Sequence, residues 1–425
     1  MGEHTRDATV VLKGLRELPG GRELLDLARG RTDVELVGGA VRDLLLGRTP
    51  RELDVVVAGA DSSPGPALLF ARALAARVAA RAETNEHERF GTALVAWDGA
   101  RVDVAGARRE RYAAPGALPE VAPATLDDDL LRRDFTVNAI AVALDGTRPG
   151  EVRAPPGALE DLRAGRLRVL HDASFIDDPT RLLRLARYSA RLSFEIEPHT
   201  SALASRALIM GALETLSGAR IGAELRLALS EPDATGALAA MGKLGLLTAL
   251  HPRLRCDRSA IERSLALLPG DGRPDLLTMA ALTLPLALRA DEPRAEIVAL
   301  LDRLEFAAPD RDRIAAAATA VPRLTDVLSA ATRPSRLRTA VAGVPPEGVA
   351  LAGGVSESSA GPARRWFTEL RDIGLLITGE DLLAAGIAEG PEVGRRLEAT
   401  LDRKLDGDLA GGRDAELAAA LQARV

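Results

Sequence analysis

Residues 34–57, VELVGGAVRDLLLGRTPRELDVVV, decide the fold of this chain. An apolar strand at the start of this stretch runs into a Gly-Gly pair, and a short helix follows. A turn then leads into a second apolar strand, which carries Glu52 and Asp54. Side chains at positions i and i+2 of a strand point to one face, so these two acids share a face. The pattern predicts a site for metal ions and a triphosphate beside a glycine turn at a helix start.

The composition favours a large helical core and excludes several kinds of site. The chain has 425 residues, of which 47% are hydrophobic and only 3% aromatic, and this length allows roughly two to four domains. The core must be mostly Ala, Leu and Val, which favours packed helices over a β-sandwich. The single cysteine, Cys256, excludes an internal disulfide and a multi-cysteine zinc site. Because the net charge is −6, nucleic acid would need a local Arg-lined surface rather than overall charge.

The sequence indicates no association with membranes. No apolar run approaches the roughly 20 residues that a membrane-spanning helix needs. The N-terminus is polar and charged and has no signal-peptide core. We therefore expect a cytoplasmic location and no membrane partner, whereas the oligomeric state is not indicated.

Strand signals are concentrated in the first third of the chain. Five apolar runs have the length of strands, and they are VELVG, LDVVVA, TALVAW, RVDVAG and NAIAVAL. A helix is predicted over 65–80, and the Pro/Ala/Gly-rich stretch 113–123 predicts a loop. Turn residues collect near 146–156, and helical patterns such as 177–192 and 234–249 follow from there to the end. We predict an N-terminal helical extension over 1–32, an α/β head over 33–148, a helical neck over 149–270, and a helical body and tail over 271–425.

The paired acids are the first candidates for chemistry. Nucleotidyl transfer by two divalent ions about 3.5–4 Å apart needs carboxylates that bridge both ions. Glu52 and Asp54 come from one strand, and Asp103 in RVDVAG is the candidate third acid. Carboxylates are the hard ligands that Mg²⁺ prefers. An isolated E-x-D usually does no more than flank a strand turn, but the preceding GGAVRDLLLG favours the functional interpretation.

The glycine turn and a second motif supply candidate contacts to a nucleotide. Gly38 and Gly39 precede the helix, where they let the backbone approach phosphates, although they would also suit an ordinary tight turn. Arg42 in the first helical turn is unfavourable for the helix dipole unless an anion is near. In RRDFTVNAIAV, residues 132–142, Arg132 or Arg133 can contact phosphate, and Asn138 can bond a ribose hydroxyl. A solvated charge cluster is the alternative for RRD.

The third motif is DDPTRLLRLARYSARLSF, residues 177–194. Asp178 as N-cap and Pro179 at the first helical position explain the helix start without any function. They do not explain Asp177 and Arg181, which can point at one edge of a ligand. An acid accepts a hydrogen bond from the exocyclic amine of cytosine or adenine, and uracil or guanine would leave it unpaired. The motif therefore predicts a helix that selects C and A.

Further arginines extend this pattern. Arg184, Arg187 and Arg191 continue along the same helix and could meet an RNA backbone, and a solvated helix face is an equally good interpretation. Near the C-terminus, Gly390-Pro391 opens a helix that carries Arg395 and Arg396. Backbone amides and arginine at a helix start could hold an RNA phosphate, although exposed arginines explain the pattern as well.

The three motifs together resemble class II tRNA nucleotidyltransferases, the CCA-adding enzymes, and the related bacterial poly(A) polymerases. The resemblance extends from about Val34 to Phe194 and rests on motifs in a fixed order. They are GGAVRDLLLGR, RVDVAGARRERY, TLDDDLLRRDFTVNAIAV, LEDLRAGRLRVL and DDPTRLLRLARYSARLSF. It implies a polymerase-beta-like α/β head with a mixed sheet and helices, followed by an all-α neck, body and tail. It also implies Mg²⁺ as cofactor, CTP and ATP as substrates, and tRNA as acceptor.

The resemblance also assigns roles to residues by position. Glu52, Asp54 and Asp103 would be the catalytic metal ligands. The residues that would bind the nucleotide are Gly38, Gly39, Arg42, Arg133, Asp134, Asn138, Asp177, Asp178, Arg181 and Arg184. Those that would bind RNA are Arg187, Arg191, Arg395 and Arg396. The chain departs from the family pattern at two positions. Glu52 replaces the first Asp of the usual D-x-D motif, and Asp177 replaces the Glu that usually begins the base-reading motif.

We therefore predict template-independent addition of C, C and A to tRNA 3′ ends, with release of pyrophosphate. A partial enzyme, which adds only CC, only A, or a poly(A) tail, is the alternative within the same class. A non-catalytic tRNA-binding protein, suggested by Glu52, is the alternative from a different class.

Overall fold

The computed structural model describes residues 3–59, 65–78, 82–87, 91–144, 151–330 and 333–423. The chain divides into two compact units, Met1–Ser217 and Gly218–Val425. The predicted limits of the head, neck, body and tail stay predictions, because this division is coarser than they are.

The first unit is built around a mixed seven-stranded sheet. Its strand order is β3-β4-β5-β2-β1-β8-β9, in which β2 and β5 are parallel and the other neighbours are antiparallel. The strands are β1 Val34–Val37, β2 Leu53–Val57, β3 Glu83–His87, β4 Thr92–Trp97, β5 Ala100–Gly106, β8 Ala141–Ala143 and β9 Val152–Arg153. Two smaller sheets pair β6 Arg108–Arg111 with β7 Glu120–Pro123, and β10 Arg166–Leu167 with β11 Glu195–Ile196. The mixed sheet confirms the α/β class predicted for the head.

The apolar pattern explains which strands are central. All four residues of β1 are buried, as expected for a strand covered on both faces. In β4, every second residue is buried, namely Ala93, Val95 and Trp97, which is the period of a strand with one face in the core. The buried side chains of these strands pack into the core, and the polar residues of β2 and β5 extend from the same sheet.

Nine α-helices are described in the first unit. They are α1 Glu3–Glu17, α2 Gly21–Ala28, α3 Gly39–Leu45, α4 Pro66–Val78, α5 Leu126–Leu131, α6 Ala158–Ala164, α7 Ser174–Asp177, α8 Thr180–Leu192 and α9 Pro198–Ile209. Short 3₁₀ helices lie at Thr136–Asn138 and Ala212–Thr215. The helix predicted over 65–80 is α4, whose last two predicted residues lie outside the described residues.

Two local predictions differ from the structure for identifiable reasons. The helix predicted over 177–192 is broken at Asp178, whose φ of −130° and ψ of 90° are extended. A residue before proline is kept out of the helical region, and Pro179 has this effect here. Asp178 still caps the start of α8, because its Oδ1 accepts a hydrogen bond from the Thr180 amide at 3.1 Å. The stretch 113–123, predicted as a loop, ends in strand β7. This strand pairs with β6 through backbone hydrogen bonds, so no apolar side-chain pattern marks it in the sequence.

The described part of the second unit is helical throughout. Its helices are Gly218–Leu229, Ala234–Lys243, Leu246–Leu250, Arg258–Leu265, Pro274–Arg289, Pro293–Arg303, Ala308–Ser329, Pro334–Val341, Pro346–Val355, Glu357–Arg365, Gly379–Ala384, Pro391–Leu405 and Arg413–Gln422, with a π-helical turn at Trp366–Leu370. The helix predicted over 234–249 is split at Gly245, which has a φ of +79°. Among the described helices, none is both long and apolar enough to cross a membrane.

A buried ion pair fixes the helices of the second unit. Glu347 is fully buried and accepts two hydrogen bonds from Arg313, at 2.7 and 2.8 Å, and one from the Arg273 amide at 2.6 Å. These contacts satisfy the carboxylate in the interior, where an unpaired charge would be costly. Polar contacts thus supplement apolar packing in this unit. The helical remainder of the chain is confirmed, but the neck predicted as all-α over 149–270 also contains β9, β10 and β11, which have two residues each and are too short to show a strand pattern in the sequence.

Candidate functional site

Three acids meet on one face of the large sheet. Asp54 in β2 and Asp103 in β5 are direct neighbours in the parallel register, and Glu52 comes two residues before Asp54. Carboxylate oxygens of all three lie within 4.8 Å of one another. Glu52 is exposed, while Asp54 and Asp103 are partly buried. The structure therefore brings together all three acids that the sequence predicts as metal ligands.

The charge at this cluster is not balanced by the protein alone. Burial, followed by the negative charge of Glu52, raises the pKa of Asp54 to about 7, although the charge of Arg133 acts in the opposite direction. A divalent cation favours the ionised carboxylate and would remove this penalty. Three closely spaced carboxylates are also the oxygen ligands that Mg²⁺ prefers. The residues present therefore fit a divalent cation.

An open cavity of about 450 Å³ lies over the acids. Its polar lining consists of Asp54, Asn85, His87, Thr92, Arg101, Asp103, Arg132 and Arg133. All these residues belong to the first unit, and the five strands β1, β2, β3, β4 and β5 contribute to the lining. The cavity combines acids on the sheet with arginines from the 132–133 segment, which suits an anionic ligand that also binds metal ions.

Gly38 shapes the turn that leads into α3. Its φ is +69°, and its N–H donates to the Ile140 carbonyl at 2.9 Å. A Cβ atom at this position would lie 2.6 Å from Nη1 of Arg133. Glycine thus gives the backbone a left-handed conformation and also leaves room for the arginine. Gly39 begins α3 and has no such close neighbour.

The two arginines of the second motif have different environments. Arg132 donates to Asp129 from Nε and Nη2, at 2.9 and 2.7 Å, and to Glu110 from Nη1 at 2.9 Å. Arg133 donates to Asp129 only from Nη2, at 2.9 Å, and its Nε has no partner among the described residues. Arg133 therefore keeps donors for a ligand, whereas Arg132 is held by two carboxylates. Glu110 and Asp129 lie in the motifs quoted above, but nothing local in the sequence marks them as partners of these arginines.

A buried chain of hydrogen bonds joins α3 to α8. Arg42 donates to the side-chain oxygen of Asn138, and the Asn138 amide donates to Asp134 at 2.9 Å. Asp134 in turn accepts from Nε of Arg184 at 2.8 Å. Burial alone would raise the pKa of Asp134, but the charge of Arg184 and the hydrogen bonds from Asn138 and Arg184 lower it to about 2. Four residues predicted to bind the nucleotide thus form one internal network.

Arginines also surround the ring of Tyr188 in α8. The guanidinium carbons of Arg42, Arg184 and Arg187 lie 5.3, 5.7 and 4.9 Å from the ring centre. The Tyr188 ring itself packs edge to face on Phe135, with ring centres 6.0 Å apart. Arg187 is only 6% exposed, so the structure gives it an internal cation–π contact. Its predicted contact with RNA stays a prediction, as does that of Arg191, which donates to Asp43 at 3.4 Å.

The predicted base-reading residues lie at the junction of α7 and α8. Arg181 is buried and donates to Ser174 Oγ at 2.7 Å and to the Arg132 carbonyl at 2.6 Å. Asp177, the last residue of α7, is partly buried and lies 4.0 Å from Nδ1 of His171. Arg181 is thus oriented by two protein acceptors and keeps further donors on its guanidinium. Both residues lie near the same junction, and their predicted contact with one edge of the base stays a prediction.

The two arginines predicted near the C-terminus also differ. Arg396 donates to Glu392 at 2.8 Å and to the carbonyls of Ala420 and Leu421 at 2.9 and 2.8 Å. It therefore caps the end of the helix Arg413–Gln422. Arg395 is exposed at the start of the second turn of the helix Pro391–Leu405. Of this pair, Arg395 has the side chain that is available to a phosphate.

A mixed sheet with a carboxylate triad on its face and an arginine-lined cavity above it is the architecture of a nucleotidyltransferase head. A family model described as the poly A polymerase head domain matches residues 34–168. The chain belongs to the class II tRNA nucleotidyltransferase, or CCA-adding enzyme, family. This finding confirms the resemblance inferred from the motifs.

Three relatives illustrate the range of the family. A CC-adding tRNA nucleotidyltransferase from Deinococcus radiodurans is 36% identical over 375 residues, covering 86% of this chain and 83% of the relative. An A-adding tRNA nucleotidyltransferase from Geobacter sulfurreducens is 35% identical over 94% of this chain, which spans only 46% of that protein. The solved structure of the Thermotoga maritima CCA-adding enzyme complexed with tRNA superimposes on this chain with a TM-score of 0.77 and a sequence identity of 29%. The match covers 97% of this chain and 98% of the Thermotoga chain.

Proposed function

We propose that this protein adds C, C and A to the 3′ ends of tRNA from CTP and ATP, without a nucleic-acid template. The observation that carries the proposal is the meeting of Glu52, Asp54 and Asp103 within 4.8 Å of one another, beside the Arg133 cavity. We further propose that Mg²⁺ is the metal and that the enzyme works in the cytoplasm. The family relatives support the choice of tRNA as acceptor.

In this proposal the reaction is an in-line displacement at the α-phosphate. The 3′-oxygen of the RNA forms the new bond to the α-phosphorus and loses its proton to solvent. The bond between the α-phosphorus and the oxygen that bridges to the β-phosphate breaks, so pyrophosphate leaves. Glu52, Asp54 and Asp103 would hold the ions, and bound Mg²⁺ would supply activation of the 3′-hydroxyl and neutralisation of the leaving group. Arg133 contacts the triphosphate through its remaining donors. Positioning and charge supply most of the rate in such reactions.

The internal network has a positioning role in this scheme. Asp134 and Asn138, predicted to contact the sugar and phosphates, are both bonded to protein groups in the structure. We therefore assign them the task of orienting Arg42 and Arg184. Asp177 and Arg181 would read the Watson–Crick edge of the incoming base. An acid that accepts from an amine discriminates against a base carbonyl by about 1–3 kcal/mol.

A partial activity is the second candidate. The Geobacter relative aligned over 94% of this chain is A-adding, and the Deinococcus relative aligned over 86% is CC-adding. Addition of A alone or of CC alone would be the same chemical step at the same triad, so the geometry of the site is compatible with either activity. The acceptor ends that the protein uses distinguish the candidates.

The test is an end-specific assay on tRNA. The purified protein is incubated with Mg²⁺, each single nucleoside triphosphate and three tRNAs, which end before C74, at C75 and at A76. Full CCA activity predicts CMP incorporation on the first tRNA, AMP on the second and nothing on the third. AMP on the second alone indicates an A-adding enzyme. Long A tails on any RNA, or tRNA binding without any incorporation, would contradict the proposal.

A further inference from the structure

A protein cation already lies between two of the three acids. Nε of Arg101 is 3.3 Å from Oε2 of Glu52 and 3.3 Å from Oδ2 of Asp103. Arg101 and Asp103 are alternate residues of β5, so their side chains extend from one face of the sheet. Arginine stays protonated in proteins, so its charge is permanent. The acidic cluster is therefore partly neutralised by a residue of its own strand.

The register of β2 and β5 accounts for this arrangement. Leu53 lies beside Val102, and Asp54 lies beside Asp103, on parallel strands. The residues that precede these pairs, Glu52 and Arg101, consequently lie next to each other. Glutamate is one methylene longer than the usual aspartate, which extends its reach towards the guanidinium. Both side chains are about half exposed, at 48% and 53%, so Arg101 can turn into solvent while the strand stays intact.

We propose that Arg101 is a positioning residue that weakens the binding of a bare divalent cation and favours the cation that arrives with a triphosphate. The inference rests on the proposed function, because it needs a metal ion at the triad. A bare ion would compete with Arg101 for the same two carboxylate oxygens and would be repelled by its charge. A metal–triphosphate complex has a net negative charge, so Arg101, which lines the same cavity, attracts it.

The experiment compares Arg101→Gln with Arg77→Gln as the matched control. Arg77 is similarly exposed, at 47%, and pairs with Asp26 outside the cavity. Mn²⁺ binding is titrated by electron paramagnetic resonance without nucleotide or RNA, and the KM for Mg·ATP or Mg·CTP is measured on tRNA. We expect Arg101→Gln to bind bare Mn²⁺ about three- to tenfold more tightly and to raise the KM about three- to tenfold. Arg77→Gln should change neither value.

Two further variants separate the possible failures. Arg101→Lys keeps the charge, so its Mn²⁺ affinity should stay within about twofold of the wild-type protein. Unchanged or weaker Mn²⁺ binding by Arg101→Gln, or an equal shift in Arg77→Gln, would overturn the inference. Asp54→Ala should remove the Mn²⁺ site. If Asp54→Ala still bound Mn²⁺, the triad would not be the metal site and the proposed function would fail with it. If Asp54→Ala lost Mn²⁺ binding but Arg101→Gln bound Mn²⁺ as the wild-type protein does, only the role of Arg101 would be refuted.

Discussion

Nη1 of Arg133 occupies the space that a side chain at Gly38 would need, since a Cβ atom there would lie 2.6 Å from that nitrogen. Gly38 also has a φ of +69°, which L-residues with a side chain rarely adopt. A steric and a conformational reason therefore both require glycine at this turn. The relationship links the start of α3 to the arginine that keeps donors for a ligand.

The first prediction concerns this turn. Gly38→Ala should lower kcat/KM for CTP and ATP about tenfold or more, because a residue with a Cβ pays about 1–3 kcal/mol for the φ of +69° and ψ of −129° at this position, and the methyl group displaces Arg133. Gly47→Ala is the control, since Gly47 also has a positive φ, of +67°, but a Cβ there would meet no atom within 4 Å. Steady-state incorporation of labelled nucleotide measures both. Equal losses in the two variants would show that the Gly38–Arg133 contact is unimportant.

The second prediction concerns the acids. Asp54→Ala should reduce nucleotide incorporation by about 10²–10³-fold or more while tRNA binding persists, because an essential metal ligand is lost. Glu52→Asp should keep or raise the activity, since the shorter acid restores the D-x-D spacing of the family. Incorporation and filter binding of tRNA are measured together. Glu83→Ala, an exposed acid on β3, serves as the control and should behave as the wild-type protein. Wild-type activity of Asp54→Ala would disprove the site assignment.

The third prediction concerns stability. Arg184→Met should reduce the free energy of unfolding by about 3 kcal/mol at neutral pH, because buried Asp134 loses its ion-pair partner. The double variant Arg184→Met with Asp134→Asn should recover part of this loss, since the buried charge is removed. Urea denaturation followed by circular dichroism measures the wild-type protein, the two single variants Arg184→Met and Asp134→Asn, and the double variant. Additive losses in the double variant would contradict the coupling of the two residues.

The pH dependence of the same pair follows from the sign of the shift. The pKa of Asp134 is lowered from the ordinary value to about 2 in the folded protein. The stabilising contribution is therefore complete above the unfolded-state pKa near 4 and is lost as the pH falls from about 4 to 2. Asp134→Asn should be less stable than the wild-type protein at pH 7, and this difference should shrink below pH 4. If the two proteins differed in their free energy of unfolding by the same amount at pH 7 and below pH 4, Asp134 would not be ionised in the folded protein.

The fourth prediction concerns base selection. Asp177→Ala should reduce the preference for CTP and ATP over UTP and GTP by about tenfold, because no carboxylate then accepts from the exocyclic amine. Asp172→Ala, an exposed acid paired with His199, is the control and should keep the preference. Competition assays with pairs of nucleotides give the ratios of kcat/KM. Unaltered selectivity in Asp177→Ala would refute the base-reading role of this residue.

The fifth prediction separates the two C-terminal arginines. Arg395→Ala should weaken tRNA binding severalfold and reduce the slope of log K against log salt by about 1, without changing stability. Arg403→Ala, an exposed arginine in the last turn of the same helix, is the control for charge. Arg396→Ala should instead lower the melting temperature, because it removes the hydrogen bonds to Ala420 and Leu421. Equal salt slopes for Arg395→Ala and Arg403→Ala would contradict a specific phosphate contact.

Local sequence was sufficient for a strand-rich head, a helical remainder and the placement of Glu52 and Asp54 on one face, and it offered Asp103 as a candidate third acid. Strand period places Glu52 and Asp54 on one face, and a glycine pair before a helix is a local signal. The motifs also led to the family, because their order and spacing are specific. The strands, the helices and the pairing of Glu52 with Asp54 depend on residues close together in the chain, whose geometry follows from secondary structure, whereas Asp103 joins the two acids only through the pairing of β2 with β5.

Only the tertiary structure determined which charged side chains remain for ligands. Arg132 and Arg133 are adjacent in sequence, yet Asp129 and Glu110 hold the first and leave donors on the second. Arg101 and Glu52 meet because two parallel strands share a register, and no local pattern reports that contact. Charged side chains are long and take their partners from distant segments. Secondary structure determines the position from which each charged side chain extends. The packing of strands and helices then determines which partners it reaches, and therefore its role.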